Sequence, residues 1–174
     1  MILAIDPGNI ESGYVLTNDD LSIVEKGKVT NDELLNNILK GKYVFYDNKE
    51  LKRIKTHIAI EMIASYGMPV GIEVFETCVW IGRFVQAMID SDYCLNKDEI
   101  KYIYRKDEKM NLCQSMKAND TTIKQALVDR FAPGQKNYGK GTKSNPGWFY
   151  GFKADVWSAY AVAVTYHDLY LIKK

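Results

Sequence analysis

Three acidic residues stand where apolar segments end or begin. Asp6 closes the run Ile2-Leu3-Ala4-Ile5 and is followed by a Pro7-Gly8 turn. Glu61 closes His57-Ile58-Ala59-Ile60. Asp155 opens the apolar final segment, with Ser158 one turn further on. An ionised carboxylate is costly to bury without a partner charge, so an acid at the end of a buried strand is well placed to hold a cation. Two carboxylates in one crevice repel; either one takes a proton or a divalent cation keeps both ionised. Three acids from separate segments make a hard-oxygen site suited to Mg²⁺, with Mn²⁺ able to substitute. Two ions per site would suit phosphodiester hydrolysis. One activates water, the other steadies the leaving 3′ oxygen, and both offset charge on the pentavalent transition state. Alone, each acid has a structural use: Asp6 in a turn, Glu61 in a salt bridge, Asp155 as a helix cap. Their recurrence at three element ends is what points to a site.

The elements that must position these acids can be read from periodicity. Residues 2–6 read as a strand. Ser12–Thr17 and Leu21–Val29 read as the next two, joined by the Asn18-Asp19-Asp20 turn. Asn31-Asp32-Glu33 is expected to cap a short helix over Leu34–Leu39. Tyr43–Tyr46 reads as a minor strand and Thr56–Met62 as a full one. A long helix follows over residues 71–89. Val74, Cys78, Ile81, Val85 and Met88 form one face, and Phe75, Trp80 and Phe84 widen it beyond the ~100° stripe of an ordinary surface helix. Such a helix needs its own sheet and a second partner, and a homodimer contact is expected there. Glu99–Tyr104 reads as a strand, Thr121–Phe131 as a helix with Asp120 as N-cap, and Pro133–Gly151 as a Gly- and Lys-rich loop. Lys153–Leu171 is the closing helix. The order describes one α/β domain over residues 1–174, built on a mixed sheet. Asp6 and Glu61 share its carboxyl edge if their strands are neighbours.

Composition narrows the partners. The chain has 174 residues and is nearly half apolar, so one well-filled domain is expected. No apolar run is long enough to cross a bilayer, and residues 1–5 lack a secretory n-region. The three cysteines, Cys78, Cys94 and Cys113, have no C-x-x-C spacing and fit a reducing, cytoplasmic setting. Lys and Arg number 23 against 22 Asp and Glu, so the whole chain is no polycation. Basic residues nevertheless dominate between Lys101 and Lys153, and a local basic face suits a polyanion. A second Asp-x-Gly phosphate loop is absent, which argues against a nucleotide cofactor and a sugar-kinase-like reading of the Asp6-Pro7-Gly8 turn.

Ile2-Leu3-Ala4-Ile5-Asp6-Pro7-Gly8 with Ser12-Gly13, and Ile58-Ala59-Ile60-Glu61, resemble the first two acidic strands of the RuvC-type Holliday junction resolvases. These belong to the RNase H-like (retroviral integrase) superfamily. Lys109-Met110-Asn111-Leu112-Cys113, Lys117-Ala118-Asn119-Asp120, Gly141-Thr142-Lys143 and Asn145-Pro146-Gly147 resemble the branch carried by phages of Gram-positive bacteria. For a phage-encoded chain the setting would be the cytoplasm of the bacterial host. The resemblance covers nearly the full length. It implies an RNase H-like fold with a mixed five-stranded sheet and flanking helices. It also implies a homodimer through helix 71–89 and Mg²⁺-dependent, two-metal resolution of four-way junctions and other branched DNA by paired nicks.

Asp6, Glu61 and Asp155 take the catalytic and metal-binding positions. Ser158 stands where the cellular enzymes have Asp, and reaches the metal through water at most. Two further departures are Ala64, where a stacking Phe is usual, and Asp120, where a Lys is. Tyr66 is then the candidate wedge at the crossover. Lys/Arg contacts to phosphate should carry affinity, and Arg105, Lys109, Lys117, Lys124, Lys140, Lys143 and Lys153 are the candidates. Trp148 is the candidate base-stacking residue of the loop. A related nuclease on RNA–DNA hybrids or flaps, and a non-catalytic branched-DNA-binding module, are the rival readings.

Overall fold

The computed structural model describes residues 1–47, 50, 52–65, 67, 69–91, 93–94 and 97–172. Strands β1 (Ile2–Asp6), β2 (Glu11–Thr17) and β3 (Ile23–Thr30) form an antiparallel meander. Helix α1 (Asn31–Leu39) follows, then a small hairpin of β4 (Phe45–Asp47) and β5 (Lys52–Ile54). Strand β6 (His57–Met62) lies parallel to β1, and β7 (Ile100–Tyr104) parallel to β6. The main sheet therefore has five strands in the order β3-β2-β1-β6-β7. Helix α2 (Ile72–Asp90) connects β6 to β7. Helices α3 (Arg105–Cys113), α4 (Asp120–Phe131) and α5 (Ala154–Tyr166) complete the chain, with a π-turn over His167–Leu171.

Alternation along the strands sorts the core into two layers. Leu3, Ile5, Ile58 and Ile60 pack against α1 and α2 through Leu34, Ile38, Ile81, Phe84 and Met88. Ile2, Ala4, Ala59 and Ile103 face the other way, onto α4 and α5. Asp6 and Glu61 continue this second set by two residues, so both acids emerge on the α5 side. The small Ala4 and Ala59 let the Ala- and Val-rich α5 lie across the sheet.

Several local readings need correction. Leu21 has φ 67°, a left-handed conformation that cannot continue a strand, so β3 begins at Ile23. Thr30, not Asn31, caps α1, its Oγ1 accepting from the Glu33 amide at 3.3 Å. Asn119, not Asp120, caps α4, its Oδ1 accepting from the Thr122 amide at 3.0 Å. Helix α3 breaks up a stretch with no assigned element; its polar Arg105–Lys109 run hides the apolar period. On α2 the buried stripe is Thr77, Ile81, Phe84, Ala87 and Met88, and Cys78 is exposed. No helix of the described residues is long and apolar enough to cross a membrane.

Candidate metal centre and basic cleft

Register brings the first two acids together. Ile5 is aligned with Ile60 in the parallel β1–β6 pair, so Asp6 and Glu61 come next, side by side at the carboxyl edge. Burial, followed by the charge of Glu61, pushes the Asp6 carboxyl far above the usual carboxylate range. The Asp6 carboxyl therefore tends to keep its proton, which a cation bound there would displace.

Asp155 reaches the same edge from the first turn of α5. The approach depends on Gly13, which pairs with Asp6 in the β1–β2 ladder; a Cβ there would lie 2.4 Å from the Asp155 carbonyl oxygen. Thus Ser12-Gly13 belongs to the site as much as Asp6 does. The Asp155 carboxylate accepts from Lys28 Nζ at 2.8 Å, and Lys28 also meets Glu11 at 3.0 Å. Lys28 was invisible as a site residue because it sits on an ordinary-looking edge strand.

The loop between Asp6 and β2 is held by a buried clasp. Ser12 Oγ donates to Asn31 Oδ1 at 2.6 Å, and Asn31 Nδ2 donates to the Gly8 carbonyl at 2.9 Å. Asn9 Nδ2 donates to Glu76 on α2 at 3.1 Å. The side chain read as a helix cap is in fact a fastener for the acidic loop.

Asp6 lies between two cavities. One, of about 260 Å³, is bordered by Asp6, Glu61, Ala64 and Arg105. The other, of about 400 Å³, is bordered by Asp6, Gly8, Lys28 and Asp155. Among the described residues, no three His, Cys, Asp or Glu side chains converge on one point. The donors are all hard oxygens with a surplus of negative charge, which fits Mg²⁺ or Mn²⁺.

Beside the acids runs a cleft of about 440 Å³. Arg105, Lys124, Lys140 and Lys153 line it with Asp155 and Ser158, over a floor of Ile123, Leu127, Phe152 and Trp157. Lys124 Nζ lies 3.6 Å from the Tyr138 ring centroid, so its charge is held over an aromatic face. Lys117 and Lys143 are exposed outside this cleft, and Lys109 is half-buried on α3. Arg105 is engaged internally, paired with Glu108 and Asp120. Trp148 stacks on Phe131 at 5.3 Å and donates Nε1–H to the Tyr160 hydroxyl at 3.0 Å. Those contacts anchor the loop to the core. Tyr66 lies outside the described residues.

A five-stranded mixed sheet in this order, with helices on both faces and acids at its carboxyl edge, has the RNase H-like fold. No family model and no curated protein matches the sequence. Among solved structures, the chain is similar to T. thermophilus RuvC in complex with Holliday junction substrate. The TM-score is 0.59 at 12% identity, over 95% of this chain and 91% of that one. A second Thermus thermophilus RuvC structure gives 0.59 at 13% identity, over 95% and 92%. At such identities the likeness establishes the RuvC-type fold.

Proposed function

We propose that this chain is a divalent-metal-dependent, structure-selective endonuclease that resolves four-way junctions and other branched DNA by paired nicks. One observation carries the reading: Asp6 borders one cavity with Glu61 and another with Asp155, beside a cleft lined by Arg105, Lys124, Lys140 and Lys153. Carboxylates alone repel DNA; carboxylates beside lysines can take in a phosphodiester together with its cations. Asp6, Glu61 and Asp155 would hold the metal, with Asp6 serving both flanking cavities. Divalent ions, when bound, supply the Lewis acidity that activates water and offsets charge at the reacting phosphorus. The lysines orient the strand, and the apolar floor excludes water from one side of it. Lys28 holds the Asp155 carboxylate in place through their ion pair. Products would carry 5′ phosphate and 3′ hydroxyl ends.

Paired nicking requires two sites related by two-fold symmetry. The outward stripe of α2 supports a homodimer. Ile72, Phe75 and Val79 are 69%, 61% and 63% exposed, an apolar row with no cover in the single chain.

The direct test compares a mobile four-way junction with a flap, a Y-fork and an RNA–DNA hybrid, with and without Mg²⁺. Cutting of the junction in preference to the others, and only with Mg²⁺, is expected. Preference for the hybrid would move the chain to the ribonuclease reading, and binding with no cutting of any substrate to the non-catalytic one. A second expected result concerns the cleft. Lys124→Gln with Lys140→Gln should weaken junction binding and reduce the slope of log K against log[salt] by about 2, roughly 0.9 per lost phosphate contact. An unchanged slope in filter-binding titrations would put the DNA path elsewhere.

A further inference from the structure

Glu108 is a carboxylate that no sequence pattern singles out. It lies on the first turn of α3, a helix that starts directly after β7. Glu61 is aligned with Ile103 of that strand, so α3 begins beside Glu61 at the carboxyl edge. The Glu108 side chain is 0% exposed. One oxygen, Oε2, accepts from the Arg105 guanidinium. The other, Oε1, has no hydrogen-bond partner among the described residues. Its charge acts on both Asp6 and Glu61.

A buried acid kept only to fasten Arg105 would be expected to satisfy both oxygens. Arg105 in turn is shared with Asp120, so a single guanidinium faces Glu108, Glu61 and Asp120. One positive charge does not balance that set, and with Asp6 four carboxylates face one guanidinium, a formal charge of −3 that a divalent cation would reduce to −1.

We propose that Glu108 is a further acid of the metal site, its unpartnered oxygen directed to a divalent cation held by Asp6 and Glu61. The inference rests on the reading of Asp6, Glu61 and Asp155 as metal ligands, and goes beyond it by adding an acid from a fourth element. Arg105 fixes one oxygen of Glu108 and leaves the other for the cation or its water shell.

The test is a Mn²⁺ titration of the full-length protein without DNA, read by calorimetry and by the Mn²⁺-induced rise in melting temperature. Glu108→Gln retains an oxygen for Arg105 and removes the charge. It is expected to weaken Mn²⁺ binding at least about tenfold and to halve the melting-temperature gain. Asp6→Asn serves as the reference. If Asp6→Asn weakens Mn²⁺ binding and Glu108→Gln binds within twofold of the parent, Glu108 serves only Arg105 and the inference is overturned. If Asp6→Asn also binds like the parent, the metal-site reading itself fails. Glu108→Met carries the same expectation and replaces the Gln variant if that one does not fold.

Discussion

Asp6→Asn is expected to bind a four-way junction as tightly as the parent and to nick it at least about a thousandfold more slowly. Asn keeps the shape of Asp but cannot offer a carboxylate to a cation, and losing one ligand of a charge-stabilising metal removes several kcal/mol from the transition state. In the proposed reading, junction affinity would rest on the lysines of the cleft, which the change leaves alone. Gel-shift and single-turnover nicking on the same junction separate the two quantities. Full nicking by the variant would sink the metal assignment.

The same substitution has a signature in stability. Burial first, then the charge of Glu61, pushes the Asp6 carboxyl up to about 9 from its ordinary 3.8. Burial, then Glu61, likewise pushes Glu108 up to about 8. In both cases the folded state holds its proton more tightly than the unfolded chain. Their contribution to stability is complete below the unfolded values and is lost as pH rises through the folded ones. In EDTA the melting temperature should therefore fall between pH 5 and pH 9, by about 5 °C or more. The fall should be shallower in Asp6→Asn, which has no proton to lose, and Mg²⁺ should reduce it in the parent. A flat profile for the parent would mean that Asp6 is ionised without a cation.

The second large effect is expected on assembly. Phe75→Glu with Val79→Glu should convert a dimer into a monomer that nicks one strand at a time. Each side chain contributes twice across a two-fold interface. At about 1.5 kcal/mol apiece, the pair accounts for roughly 6 kcal/mol, or about ten-thousandfold in the dissociation constant. Sedimentation at micromolar concentration reads the assembly, and a supercoiled cruciform plasmid reads the nicks: linear product from paired cuts, open circles from single ones. A parent chain that sediments as a monomer, or a variant that stays dimeric, would take the two-fold axis away from α2.

The strands, and the placing of the three acids proposed for the site, were legible because period-two burial leaves a clear trace, and a charge at its end interrupts it. Asp6 and Glu61 ended runs whose alternation also fixed the face they emerge on. Asp155 was legible for the opposite reason, as the lone acid at the start of an apolar helix. Glu108 and Lys28 were not, because each sits among charged neighbours and nothing local separates a buried carboxylate from a solvated one. Only the parallel register of β6 with β7 sets α3 beside Glu61. Asn31 was misread because Asn before a helix satisfies the same local rule as a cap. Its partners, Ser12 and Gly8, are about twenty residues upstream. The inner stripe of α2 was turned by a fraction of a residue, since a helix apolar nearly all round has no single best face; its packing on α1 decided it.

The Asn31 clasp bears on how any variant of the acids should be understood. Gly8, Ser12 and Asn31 hold one another through buried hydrogen bonds in which no acid of the centre takes part. The loop's outline is thus a property of the scaffold and does not depend on the acids. Exchanging one of the proposed acids is expected to alter the electric field while this clasp keeps the loop's outline, so lost activity in such a variant would report missing charge and not collapsed shape.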